Sequence, residues 1–286
     1  MPRRTLTPWM TFGDLDARQI SYAQNFEDIL LARAFPGRSG RYIDVGANHP
    51  VFHSVTKRFY DLGWSGINIE PNPRLFKTLA AARPRDHNLN LGLSDSESTL
   101  RFWDVLDHRH GWSTFHADIA EAYRRQGIAV REIEVPVTTL ASVCERYLPP
   151  DAPIDFLKID AEGFELQVVR GHDWDRWRPR VVLAESALPD AVAAWEPLLL
   201  DHDYRFVAFD GINRYYLRAE DADLAPAFQA PVNALDGAIP YEFLRLVAPQ
   251  HTLYRKLTRI RSALRRRLFR SQPTTTNDPE SQRQAG

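Results

Sequence analysis

Cysteine is almost absent from this chain: Cys144 is the only one in 286 residues. One thiol excludes an internal disulfide and a cysteine-built metal cage, and it suits a reducing, cytoplasmic setting. Long apolar runs are missing as well. No stretch of about 18 apolar residues occurs, so no membrane-spanning helix is expected. Arg3 and Arg4 near the N-terminus are not followed by an apolar segment, which argues against a secretory signal. Internal repeats are absent too. With 44% hydrophobic and 26% charged residues the composition is that of an ordinary globular protein, long enough for one sizeable α/β domain with appendages.

Acids and bases nearly cancel, giving a net charge of −1, but they are unevenly placed. Residues 251–270 hold eight Lys/Arg and no acid, so the rest of the chain has 28 bases against 37 acids. An acidic body is a poor partner for nucleic acid, and none is expected. In the basic segment Leu253, Leu257, Ile260, Leu264 and Leu268 recur every three or four residues. That spacing reads as an amphipathic helix, lying on an anionic membrane surface or docked on the acidic body. Residues 271–286 lack apolar content and read as a disordered tail, and residues 1–20 as a loose lead-in.

The informative stretch is residues 41–72. Tyr42, Ile43 and Val45 read as a buried strand running into Asp44, Gly46, Ala47 and Asn48, a turn of small or polar residues. A helix is expected over 54–62 and a second strand over 66–69, ending on Glu70, 26 residues after Asp44. A strand, tight turn, helix and strand ending in a carboxylate is a nucleotide-binding βαβ unit, the acid placed to grip a ribose diol. Helices are expected over 73–83, 139–147, 164–170 and 190–200, and an amphipathic one opening at 21–28 with Ser21 as a cap. Strands are expected over 87–93, 99–105, 131–137, 154–160, 180–184, 204–209 and 214–217. Strand–helix alternation closed by a hairpin predicts an α/β doubly wound sheet, mostly parallel with one antiparallel edge strand. Residues 104–130 read as an insertion covering an active site, with a short helix at 119–126. Residues 219–250, rich in Pro and Ala, read as weakly structured.

Asp44, Glu70, Asp95, Asp160 and Glu185 fall at successive strand ends, where an open parallel sheet gathers its ligands. Singly, each reads more readily as a cap or turn former. Together with residues 21–28, 42–50, 67–73, 90–95, 155–165 and 209–215, they resemble the FkbM family of S-adenosylmethionine-dependent methyltransferases. In that family the turn reads Asp-Val-Gly-Ala-Asn, as at 44–48, and the fourth strand reads Leu-Lys-Ile-Asp-x-Glu-Gly, as at 157–163. The resemblance spans roughly residues 20–235. It implies a class I methyltransferase fold, Rossmann-like, and methylation of hydroxyl groups on sugars or polyketides in glycan or polysaccharide synthesis.

On that reading Gly46 and Ala47 pass beneath the methionine moiety beside Asn48, Asp44 holds its ammonium directly or through water, and Glu70 takes both ribose hydroxyls. Ser94, through its backbone, and Asp95 sit at the adenine amine. His49-Pro50 stands where many relatives have a glycine. Asp160, Glu162 and Glu185 are the candidate bases, with Lys158 paired to one of them; His53, His108 and His110 are alternative bases. Asp160 and Glu185 are also alternative ligands for Mg²⁺, and Asp160 with Glu162 alternatively a helix N-terminal acid pair. Asp210 and Asn213 are candidates for a sugar-binding rim. An NAD-linked oxidoreductase is the competing enzyme class, weakened by the missing second and third glycines of the dinucleotide fingerprint. A non-catalytic binding protein at a membrane has no need of the strand-end acids.

Overall fold

The computed structural model describes residues 20–186 and 193–246, with the side chain of His110 excepted. The expectations for the lead-in, the basic helix at 251–270 and the tail at 271–286 lie outside the described residues. Asp16–Tyr241 form one compact unit, and the helical piece at 242–246 belongs to another.

The chain begins with β1 (Ile20–Ser21) and α1 (Glu27–Ala34), then runs through β2 (Arg41–Val45), α2 (Lys57–Asp61) and β3 (Ser65–Ile69). Next come α3 (Pro73–Ala82), β4 (His87–Leu89), β5 (Gly92–Leu93), β6 (Ser98–Val105), α4 (Ala117–Arg125) and β7 (Val130–Thr138). The second half supplies α5 (Leu140–Tyr147), β8 (Phe156–Ile159), α6 (Glu165–Arg170), β9 (Val181–Glu185) and α7 (Glu196–Leu200), and then β10 (Tyr204–Phe209), β11 (Asn213–Arg218) and β12 (Ile239–Pro240). Local signals explain the clearest of these elements. Asn72 caps α3, accepting the Arg74 N–H, with Pro73 in the first turn, and Thr139 caps α5 through the Ser142 N–H.

Seven strands form the main sheet in the order β10-β11-β9-β8-β2-β3-β4. All are mutually parallel except β11, which runs antiparallel to β9 and β10. The hairpin thus supplies the expected antiparallel strand, one position in from the edge. Alternation along the central strands sends their side chains to two apolar layers. Ile43, Val45, Leu157 and Ile159 pack towards α5, α6 and α7, and Tyr42 and Phe156 towards α1 and α2. With helices on both faces, the sheet is doubly wound, as expected. From β2 the chain proceeds to β3 and β4 on one side, while β8 pairs on the other. The carboxyl ends of β2 and β8 therefore flank a topological switch point, where such sheets bind ligands.

Four expectations change. The strand expected over 87–93 is broken: Asn90 donates to the carbonyls of Glu70 and Pro71, ending β4, and β5 joins β6 and β7 in a separate three-stranded sheet. The helix expected over 54–62 shortens to α2, because residues 49–53 are held in turns. There His49 Nδ1 accepts the N–H of Val51 and Phe52, and His53 has φ 55°. Ser21 does not cap α1; its hydroxyl donates to Asp28 at 2.6 Å. Residues 219–241 are more ordered than composition suggests. Two 3-10 segments, Ala219–Phe228 and Ala234–Asp236, are tied down by Asp221 with Arg180 and Arg218 and by Asp236 with Arg33. β12 then pairs with β1. Among the described residues no helix is long and apolar enough to cross a membrane.

Candidate active site

The site begins where β2 ends. Gly46 has φ 72°, and a Cβ there would lie 1.8 Å from the Asp160 carbonyl oxygen, so only glycine fits. Its N–H and that of Ala47 both donate to the Ile69 carbonyl, folding the turn over the end of β3. Asn48 follows with φ 51°, a left-handed conformation that asparagine tolerates better than most residues.

Glu70 closes this turn from the neighbouring strand. Its Oε2 accepts the Asn48 N–H at 2.7 Å and its Oε1 the Asn72 N–H at 2.8 Å. Burial pushes the carboxyl up to about 7 despite these two bonds. Each oxygen keeps a lone pair, so the group can still accept a diol.

Asp44 and Lys158 stand side by side in register on β2 and β8. The Lys158 ammonium lies 3.4 Å from Asp44 Oδ1 and 3.2 Å from Asp160 Oδ2, and it donates to the Gly46 carbonyl at 2.8 Å. Burial disfavours its charge, but Asp160 and Asp44 outweigh that and hold it above the usual lysine value. Asp44 is buried, its Oδ2 taken by the Thr56 hydroxyl at 2.8 Å. It lines neither of the cavities at the site, and its Oδ1 faces the Lys158 ammonium.

After β8 the chain turns through Asp160, Ala161 and Glu162, where Glu162 has φ 51°. One carboxylate oxygen each from Asp160, Glu162 and Glu185 lie within 4.8 Å of one another. Burial, and then the negative charge of Asp160, raise Glu162 and Glu185 well above the ordinary carboxyl range. Three such oxygens could suit a hard divalent cation. Lys158 already balances Asp160, however, at 3.2 Å.

Two cavities meet at this turn and share Gly46, Asn48, Gly111, Asp160 and Glu162 as walls. The first, about 560 Å³ including its open mouth, has an apolar body walled by Ile69, Leu75, Leu93, Phe102, Phe115 and Val168, with Glu70 at its rim. The second, about 1070 Å³ on the same measure, is polar and lined by Glu27, His53, Lys158, Glu185 and Asn213. Asp160, Glu162, Glu185 and Lys158, taken from the sequence as the reacting group, are therefore together. Gly46, Asn48 and Glu70 line the first cavity as expected, and buried Ala47 lines neither.

Ser94 and Asp95 are not brought to the site. Because the chain breaks from β4 into β5, Gly92 and Leu93 face the first cavity instead. Ser94 is buried with its N–H on the Thr138 carbonyl, and Asp95 is exposed. His49-Pro50 is absent from both linings; His49 serves its own turn. Of the hairpin pair, Asn213 lines the second cavity, whereas Asp210 shapes the turn by accepting the N–H of Ile212 and Asn213.

The insertion at 104–130 covers both cavities. It gives Ser113 and Phe115 to the first and His108, Arg109 and Trp112 to the second. Thr114 donates to the Glu162 carbonyl at 2.8 Å, and the His116 Nε2 lies 2.9 Å from the Gly163 carbonyl. Sequence reasoning gave no role to Glu27, Phe102 or Trp112. Glu27 lay within the 21–28 motif, a signal available but unused.

Comparison with known proteins agrees with this geometry. The methyltransferase FkbM domain matches residues 44–206, more than half of the chain. The methyltransferase sdnD of Sordaria araneosa is 28% identical over 180 residues, covering 54% of this chain and 66% of that protein. The chain thus spans just under two thirds of that relative's length. A TehB-like SAM-dependent methyltransferase from Corynebacterium glutamicum aligns with TM-score 0.33 and 7% identity, covering 67% of this chain and 87% of that one. A precorrin-6y C5,15-methyltransferase from Geobacter metallireducens aligns with TM-score 0.36 and 12% identity, covering 68% and 89%. Both structural likenesses are too loose to carry weight. The domain match, at the strand-end turn, the acid cluster and the sheet that joins them, is decisive: this chain belongs to the FkbM methyltransferase domain family.

Proposed function

We propose that this protein transfers a methyl group from S-adenosylmethionine to a hydroxyl, that of a sugar in glycan or polysaccharide synthesis. The observation that carries the reading is the pair of cavities with a common wall at Gly46, Asn48, Asp160 and Glu162. One is apolar with a carboxylate at its rim, the other polar, as a bisubstrate reaction requires.

In the first cavity the apolar walls take an adenine-sized ring, Glu70 accepts the ribose hydroxyls, and the Gly46 turn leaves room for close backbone approach. S-adenosylmethionine, when bound, supplies an electrophilic methyl on a positive sulfonium. Asp160 and Glu162, shared by both cavities, provide negative charge beside it. A hydroxyl attacks poorly while protonated. The new C–O bond forms as the C–S bond breaks, and the hydroxyl proton passes to the Glu162–Glu185 pair, whose raised affinity for protons suits a base. Such a base contributes about 10²–10⁴ in rate. Lys158 holds Asp160 in place and neutralises it, so the cluster keeps its shape as a proton arrives.

Calorimetry with S-adenosylmethionine and with NAD tests the cofactor. Binding of the first and not the second is expected, and the reverse result would overturn the reading. Mass spectrometry of cell-surface glycan from a deletion strain, searching for a lost methyl ether, tests the substrate class.

A further inference from the structure

Among the described residues, the acceptor cavity has more carboxylates than permanent cations in its lining. Glu27, on the first turn of α1, lines it and is only 4% exposed. Its partners are neutral: Oε2 accepts the Asn25 N–H at 2.6 Å and Oε1 the Asn213 Nδ2 at 3.1 Å. Asn213 is the register partner of Glu185 across β11 and β9, so Glu27, Asn213 and Glu185 follow one another along one wall. Among the described residues, the two permanent cations that line the cavity are engaged elsewhere. Lys158 sits between Asp44 and Asp160, and Arg109 is clamped on Asp107. A bound sulfonium offsets one negative charge at the Glu162 end and leaves Glu27 unmatched.

Burial makes an unmatched carboxylate costly, and a ligand that brings its own cation relieves that cost. An anionic acceptor would meet the opposite: a carboxylate or phosphate beside the reacting hydroxyl would face Glu27, Glu162 and Glu185 together. Burial, and then the negative charges of Asp210 and Asp28, push Glu27 up to about 7 against two backbone hydrogen bonds, which agrees with a group lacking a positive partner.

Resting on the methyltransferase reading above, we infer that the acceptor is an amino sugar or aminocyclitol, whose protonated amine is bound by Glu27 while a hydroxyl of the same ring faces Glu162 and Glu185. Glu27 is then a specificity-determining residue. The amine stays unmethylated, and the product is an O-methyl ether with its amine intact.

The test uses the full-length protein loaded with S-adenosylhomocysteine, in EDTA, at neutral pH, where Glu27 is substantially ionised. Glucosamine, N-acetylglucosamine and glucuronate serve as probes, with binding read by ligand-observed NMR. Glucosamine should bind at least about tenfold more tightly than its N-acetyl form, the scale of one charge-assisted hydrogen bond, with glucuronate weakest. Glu27→Gln should erase that preference and leave S-adenosylhomocysteine affinity unchanged, because Glu27 does not line the first cavity. Equal binding of glucosamine and its N-acetyl form, no glucosamine binding, or a preference that appears only when Mg²⁺ is added would each overturn the inference. The wild-type comparison decides it even if the variant does not fold. Failure of S-adenosylhomocysteine to bind would strike the methyltransferase reading instead, so the two failures are distinguishable.

Discussion

The hydroxyl of Thr114 donates to the backbone carbonyl of Glu162 at 2.8 Å, tying the insertion to the strained residue at the junction of the two cavities. Thr114 is 1% exposed, so no water replaces that bond when it is lost. Thr114→Val should cost about 1 kcal/mol in stability. It should lower kcat about tenfold by freeing Glu162, with little change in S-adenosylhomocysteine affinity. Steady-state kinetics beside calorimetry measure both; an unchanged kcat would remove the insertion from the chemistry.

Gly46→Ala is the most severe single change expected. A positive φ costs a non-glycine residue about 1–2 kcal/mol, and the added methyl would overlap the Asp160 carbonyl. The turn must shift, so cofactor binding should fall below detection in calorimetry, with a lower melting temperature. Retention of wild-type affinity would show that the turn does not cradle the cofactor.

Glu70 connects pH to stability. Its carboxyl is raised from the ordinary 4.5 to about 7 by burial, so between those values the folded state binds the proton more tightly than the unfolded one. Stability from this group is complete below pH 4.5 and is lost as pH rises through 7, by up to about 3 kcal/mol. Glu70→Gln should flatten that part of the difference in urea-unfolding free energy between pH 5 and pH 8. It should also weaken S-adenosylmethionine binding about tenfold or more. A variant as pH-sensitive as wild type would contradict the assignment.

Lys158 is buried among Asp44, Asp160 and the Gly46 carbonyl. Lys158→Met removes the cation and leaves two carboxylates unmatched, which should cost about 3–5 kcal/mol. Asp160→Asn in the same background should recover part of that. Chemical denaturation of the two single variants and the double variant gives the coupling, and strict additivity would mean that the ion pair is not what matters there.

Asp160→Asn alone should spare cofactor binding and slow transfer, as should Glu162→Gln and Glu185→Gln, each by about 10²–10⁴ if the cluster is the base. Because Lys158 provides the positive charge at Asp160, turnover should survive EDTA. Loss of activity in EDTA with rescue by Mg²⁺ would assign Asp160, Glu162 and Glu185 to a metal.

The chemistry of each segment was legible locally. Asp44, Gly46 and Asn48 mark a strand-to-turn transition in a few residues, and Leu157–Gly163 does the same for β8 and its turn. Their apolar and small-residue patterns need no distant partner to be read. Glu70 and Glu185 were legible as strand ends for the same reason. Asp95 misled because its strand looked continuous: only Asn90, reaching back to Glu70 and Pro71, reveals the break.

The sequence by itself determined the doubly wound sheet and the series of acids at its strand ends, because side-chain periodicity and turn chemistry act between near neighbours. Tertiary structure alone decided what those residues do to one another. Asp44 became a partner of Lys158 because β2 and β8, over a hundred residues apart, pair in register. Glu27 reached the polar cavity because α1 packs where Asn213 of β11 can donate to it. Charge balance in a buried site depends on which distant groups share it, and that sum exists only once the chain has closed on itself.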